Sequence, residues 1–158
     1  MRIINKIGNE TLLKREKTLF LCSKHAPYSI YDRVFGWVDS LTADDCVICF
    51  NSSELEDEVM RALLVNQVPT ILVVMNRFTD KYNVQIDKAL EEERMLIIVL
   101  QRDEPRGAGQ TPRLRNQFIM QMAERSGGQV IDLFKKHMGT PSSRVKQKNR
   151  YSLLSYRM

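Results

Sequence analysis

The stretch Asp44-Asp45-Cys46-Val47-Ile48-Cys49-Phe50-Asn51-Ser52-Ser53-Glu54-Leu55-Glu56-Asp57-Glu58-Val59-Met60-Arg61-Ala62-Leu63-Leu64 changes its hydrophobic period part-way along. Cys46 to Phe50 is a short apolar run of the kind needed by a strand buried on both faces. Leu55, Val59 and Leu63 then recur at helical spacing. The change falls at Asn51-Ser52-Ser53. Ser53 with Glu56 fits the Ser-x-x-Glu capping box, which starts a helix with unpaired N–H groups and the positive end of its dipole facing the turn. Such a turn can receive an anion, although a plain capped helix has the same sequence.

Working outward, the same strand, turn and helix unit recurs. Thr18 to Cys22 is a buried strand that breaks at Ser23-Lys24-His25-Ala26-Pro27, and Ile30, Val34, Trp37 or Val38, and Leu41 line the helix after it. Pro69 to Met75 is a third strand, leading into Asn76-Arg77-Phe78. Ile86, Ala89 and Leu90 mark an acidic helix ending at Glu91-Glu92-Glu93, and Met95 to Leu100 is a fourth strand. The loop from Gln101 to Gln110 is long for a compact domain, as functional loops often are. Thr111-Pro112 offers a cap and a first-turn proline to a helix whose expected buried face is Leu114, Phe118, Ile119 and Met122 and whose stop is Gly127-Gly128. Gln129 to Phe134 is a fifth strand. Arg2 to Ile7 has the composition of an edge strand, and Glu10 to Glu16 that of a short polar helix or connector. Strands alternating with helices predict an α/β fold: a doubly wound, mostly parallel sheet with helices on both faces, Rossmann-like.

With 158 residues, 43% of them hydrophobic, the chain can bury one real core. The expected division is an N-terminal extension or edge strand over 1–17, the Rossmann-like domain over 18–134 and a basic C-terminal tail over 135–158. No apolar run reaches the roughly 20 residues of a membrane span. The first residues lack an export signal, so the expected location is cytoplasmic, with no membrane contact. Cys22, Cys46 and Cys49 fall in core strands, where Cys46 and Cys49 point to opposite faces. Reduced thiols are expected, with no metal site and no cofactor. The net charge of +5 is uneven. Lys135, Lys136, Arg144, Lys146, Lys148, Arg150 and Arg157 face no acid after residue 134, whereas the body carries 17 basic and 19 acidic side chains, a net of −2. Such a tail suits contact with nucleic acid or another polyanion, and equally a solvated terminus.

In open parallel sheets ligands lie at the carboxyl ends of the strands. The turns expected there contain Lys24, Arg77, Arg102, Arg106, Arg113 and Arg115, which would gather positive charge where a phosphate binds.

Five segments in this order resemble the Rossmann-type domain of the DNA-processing protein A (Smf) family and its stand-alone relatives in the SLOG superfamily. They are Leu19 to Lys24, Val47 to Glu56 with its helix, Pro69 to Arg77, Arg94 to Ile98, and Arg115-Asn116-Gln117-Phe118-Ile119. The last is similar to the family's Arg-Asn-Arg-x-Ile signature, with Gln117 in place of the second arginine. The resemblance spans about Thr18 to Phe134. It implies a protein that binds a nucleotide or single-stranded DNA at the strand ends, with a homodimer among the expected assemblies. By position it implies phosphate- or nucleotide-binding roles for Ser23, Lys24, Asn51, Ser52, Ser53, Glu54, Arg77, Arg115 and Asn116. The family's glycines are absent from Cys22-Ser23-Lys24 and Phe50-Asn51-Ser52-Ser53, which puts close backbone approach to a phosphate in question.

Two other functions compete with binding alone. A nucleotide hydrolase of the phosphoribohydrolase type would use Glu54 or Glu56 as acid or base, but the Pro-Gly-Gly-x-Gly-Thr-x-x-Glu motif of that class is missing. A nucleotide-sensing scaffold would use the pocket for a signal and the tail for a partner. Catalysis is the less favoured alternative, and no catalytic residue is assigned.

Overall fold

In the computed structural model, residues 1–22, 26–79, 83–103, 111–125 and 129–132 are described. Ser23, Lys24, His25, Arg106, the expected helix stop at Gly127-Gly128 and the basic segment from Lys135 lie outside the described residues. The strands are β1 (Arg2–Gly8), β2 (Thr18–Leu21), β3 (Val47–Phe50), β4 (Thr70–Met75), β5 (Met95–Gln101) and β6 (Gln129–Asp132). The helices are α1 (Tyr31–Asp39), α2 (Glu54–Val65), α3 (Val84–Glu91) and α4 (Thr111–Arg125). Short 3-10 turns occupy Glu10–Lys14 and Tyr28–Ile30.

The protein is α/β, with a mostly parallel sheet in the order β1-β5-β4-β3-β2-β6. From β5 to β6 all neighbours are parallel, and β1 closes one edge antiparallel to β5. Gly8 ends β1 at φ +109°, and a Cβ there would lie 2.3 Å from the Met95 carbonyl oxygen, so the turn needs glycine.

Side-chain alternation along the strands divides the core in two. Phe20, Val47, Cys49, Leu72, Val74, Ile97 and Val99 join one cluster with Val34, Trp37 and Val38 of α1, Leu55, Val59 and Leu63 of α2, and Ile86 and Ala89 of α3. Leu19, Leu21, Cys46, Ile48, Phe50, Ile71, Val73, Leu96 and Ile98 join a second cluster with Leu12 and with Ile119 and Met120 of α4. Cys46 and Cys49 therefore fall in different clusters, as a strand requires, and all three cysteines are free and buried.

Helix α4 packs Ile119, Phe118 and Met122 against the second cluster as expected, but departs from its expected buried face at Leu114. Leu114 is 38% exposed, and Arg115, only 8% exposed, takes the place one turn before Ile119. Apolar periodicity does not anticipate an arginine with enough partners to be buried.

The stops of α2 and α3 also lack the expected sequence sign. Gln67 and Glu93 adopt φ +60° where glycine is the usual residue. After α2 the Val68 N–H bonds the Leu63 carbonyl at 2.9 Å, and after α3 the Arg94 N–H bonds that of Ala89 at 2.9 Å. These are six-to-one bonds of the Schellman type, and burial of Val68 anchors the first. Among the described residues, no helix is long and apolar enough to cross a membrane.

Candidate functional site

The cleft arises from a mismatch in strand length. Phe50 is the last residue of β3 and pairs with Val73, whereas β4 runs on to Met75, opposite Leu100 of β5. The last turn of β4 therefore has no strand beside it on the β3 side. The open step is a cleft of about 390 Å³, lined by Asn51 and Ser52 after β3, by Val73, Val74 and Met75 of β4, by Asn76, Arg77 and Thr79 beyond it, and by Arg115 of α4.

On the β3 side the polar groups are bonded to one another. The Ser53 hydroxyl accepts the Glu56 N–H at 3.2 Å, the forward half of the expected capping box. The Glu56 carboxylate, 2% exposed, takes the Ser52 hydroxyl at 2.8 Å through Oε1. Ser52 Oγ in turn accepts Arg115 Nη1 at 3.0 Å. Arg115 also donates through Nε and Nη2 to Asn116 Oδ1 at 3.2 and 3.1 Å, and its guanidinium lies 3.9 Å above the centre of the Phe50 ring. Burial lowers the Arg115 pKa, and the Glu56 and Cys22 charges oppose that shift. The guanidinium remains ionised, as arginine does in proteins.

The Cys22 sulfur lies 3.7 Å from the Ser53 hydroxyl, at the rear of this turn. Burial, and then the Glu56 carboxylate, push the Cys22 thiol up to about 12, with Ser53 and Arg115 pulling the other way. It is a thiol at neutral pH and a poor nucleophile. The first turn of α2 carries Glu54, Glu56 and Asp57, so the positive end of this helix is already balanced by acids.

On the β4 side Asn76 stands at φ +67°, a left-handed conformation that asparagine tolerates better than most residues. Its N–H bonds the Leu100 carbonyl at 2.7 Å, and the Arg77 N–H bonds that of Met75 at 2.8 Å, a tight turn that carries Arg77 to the cleft. Arg77 is exposed, and its guanidinium has no partner among the described residues.

Of the residues expected to act together, the structure joins Asn51, Ser52, Arg77 and Arg115 in the lining of one cleft, with Asn116 bonded to Arg115. Ser53 caps α2, and Glu54 is exposed on its first turn outside the cleft lining. Arg102 and Arg113 are also outside the lining.

Comparison with protein-family models, curated proteins and solved structures finds no match.

Sequence reasoning missed how Glu56 and Phe50 serve Arg115. Glu56 is expected to complete the capping box, but its carboxylate turns to Ser52. Phe50 is apolar enough to pass for an ordinary core residue, and only its contact with Arg115 gives it a second role. The walls at Val73, Val74 and Thr79 were missed as well, because nothing local in the sequence reports that β4 outlasts β3. Among the described residues no group of three His, Cys, Asp or Glu could hold a metal ion.

Proposed function

We propose that the chain is a Rossmann-like, doubly wound nucleotide- or single-stranded-DNA-binding module of the kind the Smf and SLOG resemblance implies, holding a phosphate at the step between β3 and β4. The observation that carries this reading is the meeting of Arg77 and Arg115, remote in sequence, with Asn51 and Ser52 in one strand-end cleft. In this reading Arg77 is the phosphate partner, because it is exposed and its guanidinium has no partner among the described residues. Arg115 keeps Ser52 in place and adds its field at short range, and Asn51 and Asn76 supply amide groups to a sugar or base. A cleft of about 390 Å³ is at the small end of the range for ligand sites and suits one nucleotide unit at a time. Binding is favoured over hydrolysis because neither Glu54 nor Glu56 lines the cleft.

Fluorescence anisotropy of a labelled single-stranded oligonucleotide, beside equilibrium dialysis of nucleoside monophosphates, tests the proposal. The expected result is binding at low salt by at least one probe. For the oligonucleotide, affinity falls steeply as salt is added, and the basic segment contributes to that slope. Absence of binding by both probes at low ionic strength overturns the reading. Sedimentation velocity with and without oligonucleotide tests the homodimer that the resemblance implies.

A further inference from the structure

One polar side chain of the cleft has its hydrogen-bonding direction fixed by its neighbours. Ser52 is exposed and lines the cleft. Its hydroxyl oxygen lies 2.8 Å from Glu56 Oε1 and 3.0 Å from Arg115 Nη1. A carboxylate only accepts hydrogen bonds and a guanidinium only donates them, so the hydroxyl proton goes to Glu56 and a lone pair takes the Arg115 N–H. A serine hydroxyl has one proton and two lone pairs. What Ser52 offers the cleft is therefore one lone pair and no proton.

This orientation is locked from both sides. Glu56 is 2% exposed, and its backbone N–H is tied to Ser53 at 3.2 Å. Arg115 is held by Asn116 Oδ1 through Nε and Nη2 and lies on the Phe50 ring. Turning the Ser52 hydroxyl toward the cleft would take its proton from a buried carboxylate, at the cost of an unmet acceptor. The other uncharged polar side chains of the lining, Asn51, Asn76 and Thr79, carry both donor and acceptor atoms and suit either kind of ligand atom. Ser52 alone discriminates.

Phosphate oxygens are acceptors, which suit Arg77 and are repelled by the free lone pair of Ser52. Ser52 instead suits a ligand hydroxyl. With a nucleotide phosphate at Arg77 the sugar is the neighbouring group, and within a strand only ribose carries a free hydroxyl, the 2′-OH.

We propose that the cleft takes a ribonucleotide unit in preference to a deoxyribonucleotide, with Ser52 accepting the 2′-hydroxyl and Glu56 as the positioning residue that keeps Ser52 an acceptor. The proposal rests on the phosphate reading of the cleft and narrows its ligand to one that contains ribose.

Fluorescence anisotropy of the full chain with labelled single strands of one sequence, made as RNA, DNA and 2′-fluoro RNA, tests it. The 2′-fluoro strand keeps an RNA-like sugar but cannot donate. RNA is expected to bind about five- to tenfold more tightly than either of the others, the worth of one hydrogen bond at an exposed site. DNA binding as tightly as RNA overturns the proposal, and so does equal binding of RNA and 2′-fluoro RNA, which would make sugar shape the selected feature. Ser52→Ala removes the acceptor and is expected to abolish the preference, and a preference that survives it overturns the role of Ser52. Glu56→Gln, whose amide can donate to Ser52 as well as accept from it, unlocks the hydroxyl and is expected to narrow the preference. An unchanged preference there overturns the role of Glu56. Each readout is a ratio between probes on one protein, which a general loss of stability does not move. Equal binding of all the strands overturns only the ribose preference and leaves the phosphate site standing, whereas binding of none overturns both.

Discussion

The turns after β3 and after β4 both open on an asparagine and line one cleft, Asn-Ser-Ser and Asn-Arg-Phe, but their bonding is opposite. After β3, Ser53 caps α2, Ser52 links Glu56 to Arg115, and Arg115 is held by Asn116 and Phe50. After β4, Asn76 is held only through its backbone, and Arg77 projects without a partner among the described residues. The difference separates an arginine that builds the wall from one available to a ligand. An anion can reach Arg77 without breaking a protein–protein bond, but to engage Arg115 fully it must displace Ser52 or Asn116.

The strongest way to break this contrast is Arg115→Ala. It leaves the Glu56 carboxylate buried without the facing cation and uncovers Phe50, so urea unfolding is expected to show a loss of about 2–4 kcal/mol. Arg115→Lys recovers part of that loss at most, because an ammonium cannot reach Ser52 and Asn116 as a fork does. A loss below about 0.5 kcal/mol, the size of an ordinary surface change, would show that the β3 turn does not depend on Arg115.

Asn76→Val places a β-branched residue at φ +67° and is expected to cost about 1–2 kcal/mol, whereas Asn76→Gly is expected to be neutral or slightly stabilising. Equal stability of the two variants would mean that the β4 turn does not impose its backbone.

The third test is pH. The folded-state pKa of Cys22 lies above its ordinary value of 9.0, so the stability from keeping it protonated is fully present below pH 9.0 and is lost as pH rises toward about 12. At about pH 10 this one thiol has already withdrawn about 1.4 kcal/mol. Cys22→Ser removes that part of the alkaline decline, visible as a shallower fall of unfolding free energy above pH 9.0. An unchanged slope would remove Cys22 from the account.

Arg77→Ala is expected to have the smallest effect on stability, within about 0.5 kcal/mol, because the side chain is exposed and bonds to none of the described residues. Its effect on anion binding sharpens the contrast. A loss of several-fold in oligonucleotide or nucleotide affinity, with unfolding unchanged, assigns the two arginines to different tasks.

The sheet was legible in the sequence because each central strand is apolar on both faces, as a parallel strand between core layers must be. The run Cys46–Phe50 and the period change at Asn51 locate β3 and α2 without any knowledge of their neighbours. The cap at Ser53 was legible for a similar reason, since its partner is three residues away. The end of α3 at Glu91-Glu92-Glu93 was legible, but the left-handed residues that close α2 and α3 were not, because Gln67 and Glu93 take a conformation for which glycine is the usual sign.

Local sequence thus determined where the chain extends, coils and turns, through hydrophobic period and capping. The tertiary structure alone decided that β4 outruns β3, that Arg115 is buried over Phe50 while Leu114 is exposed, and that Arg77 is left facing the gap. Those outcomes depend on strand register and on contacts between segments far apart in the chain. A side chain's charge can be read from its letter, but whether that charge is matched depends on what the fold places beside it.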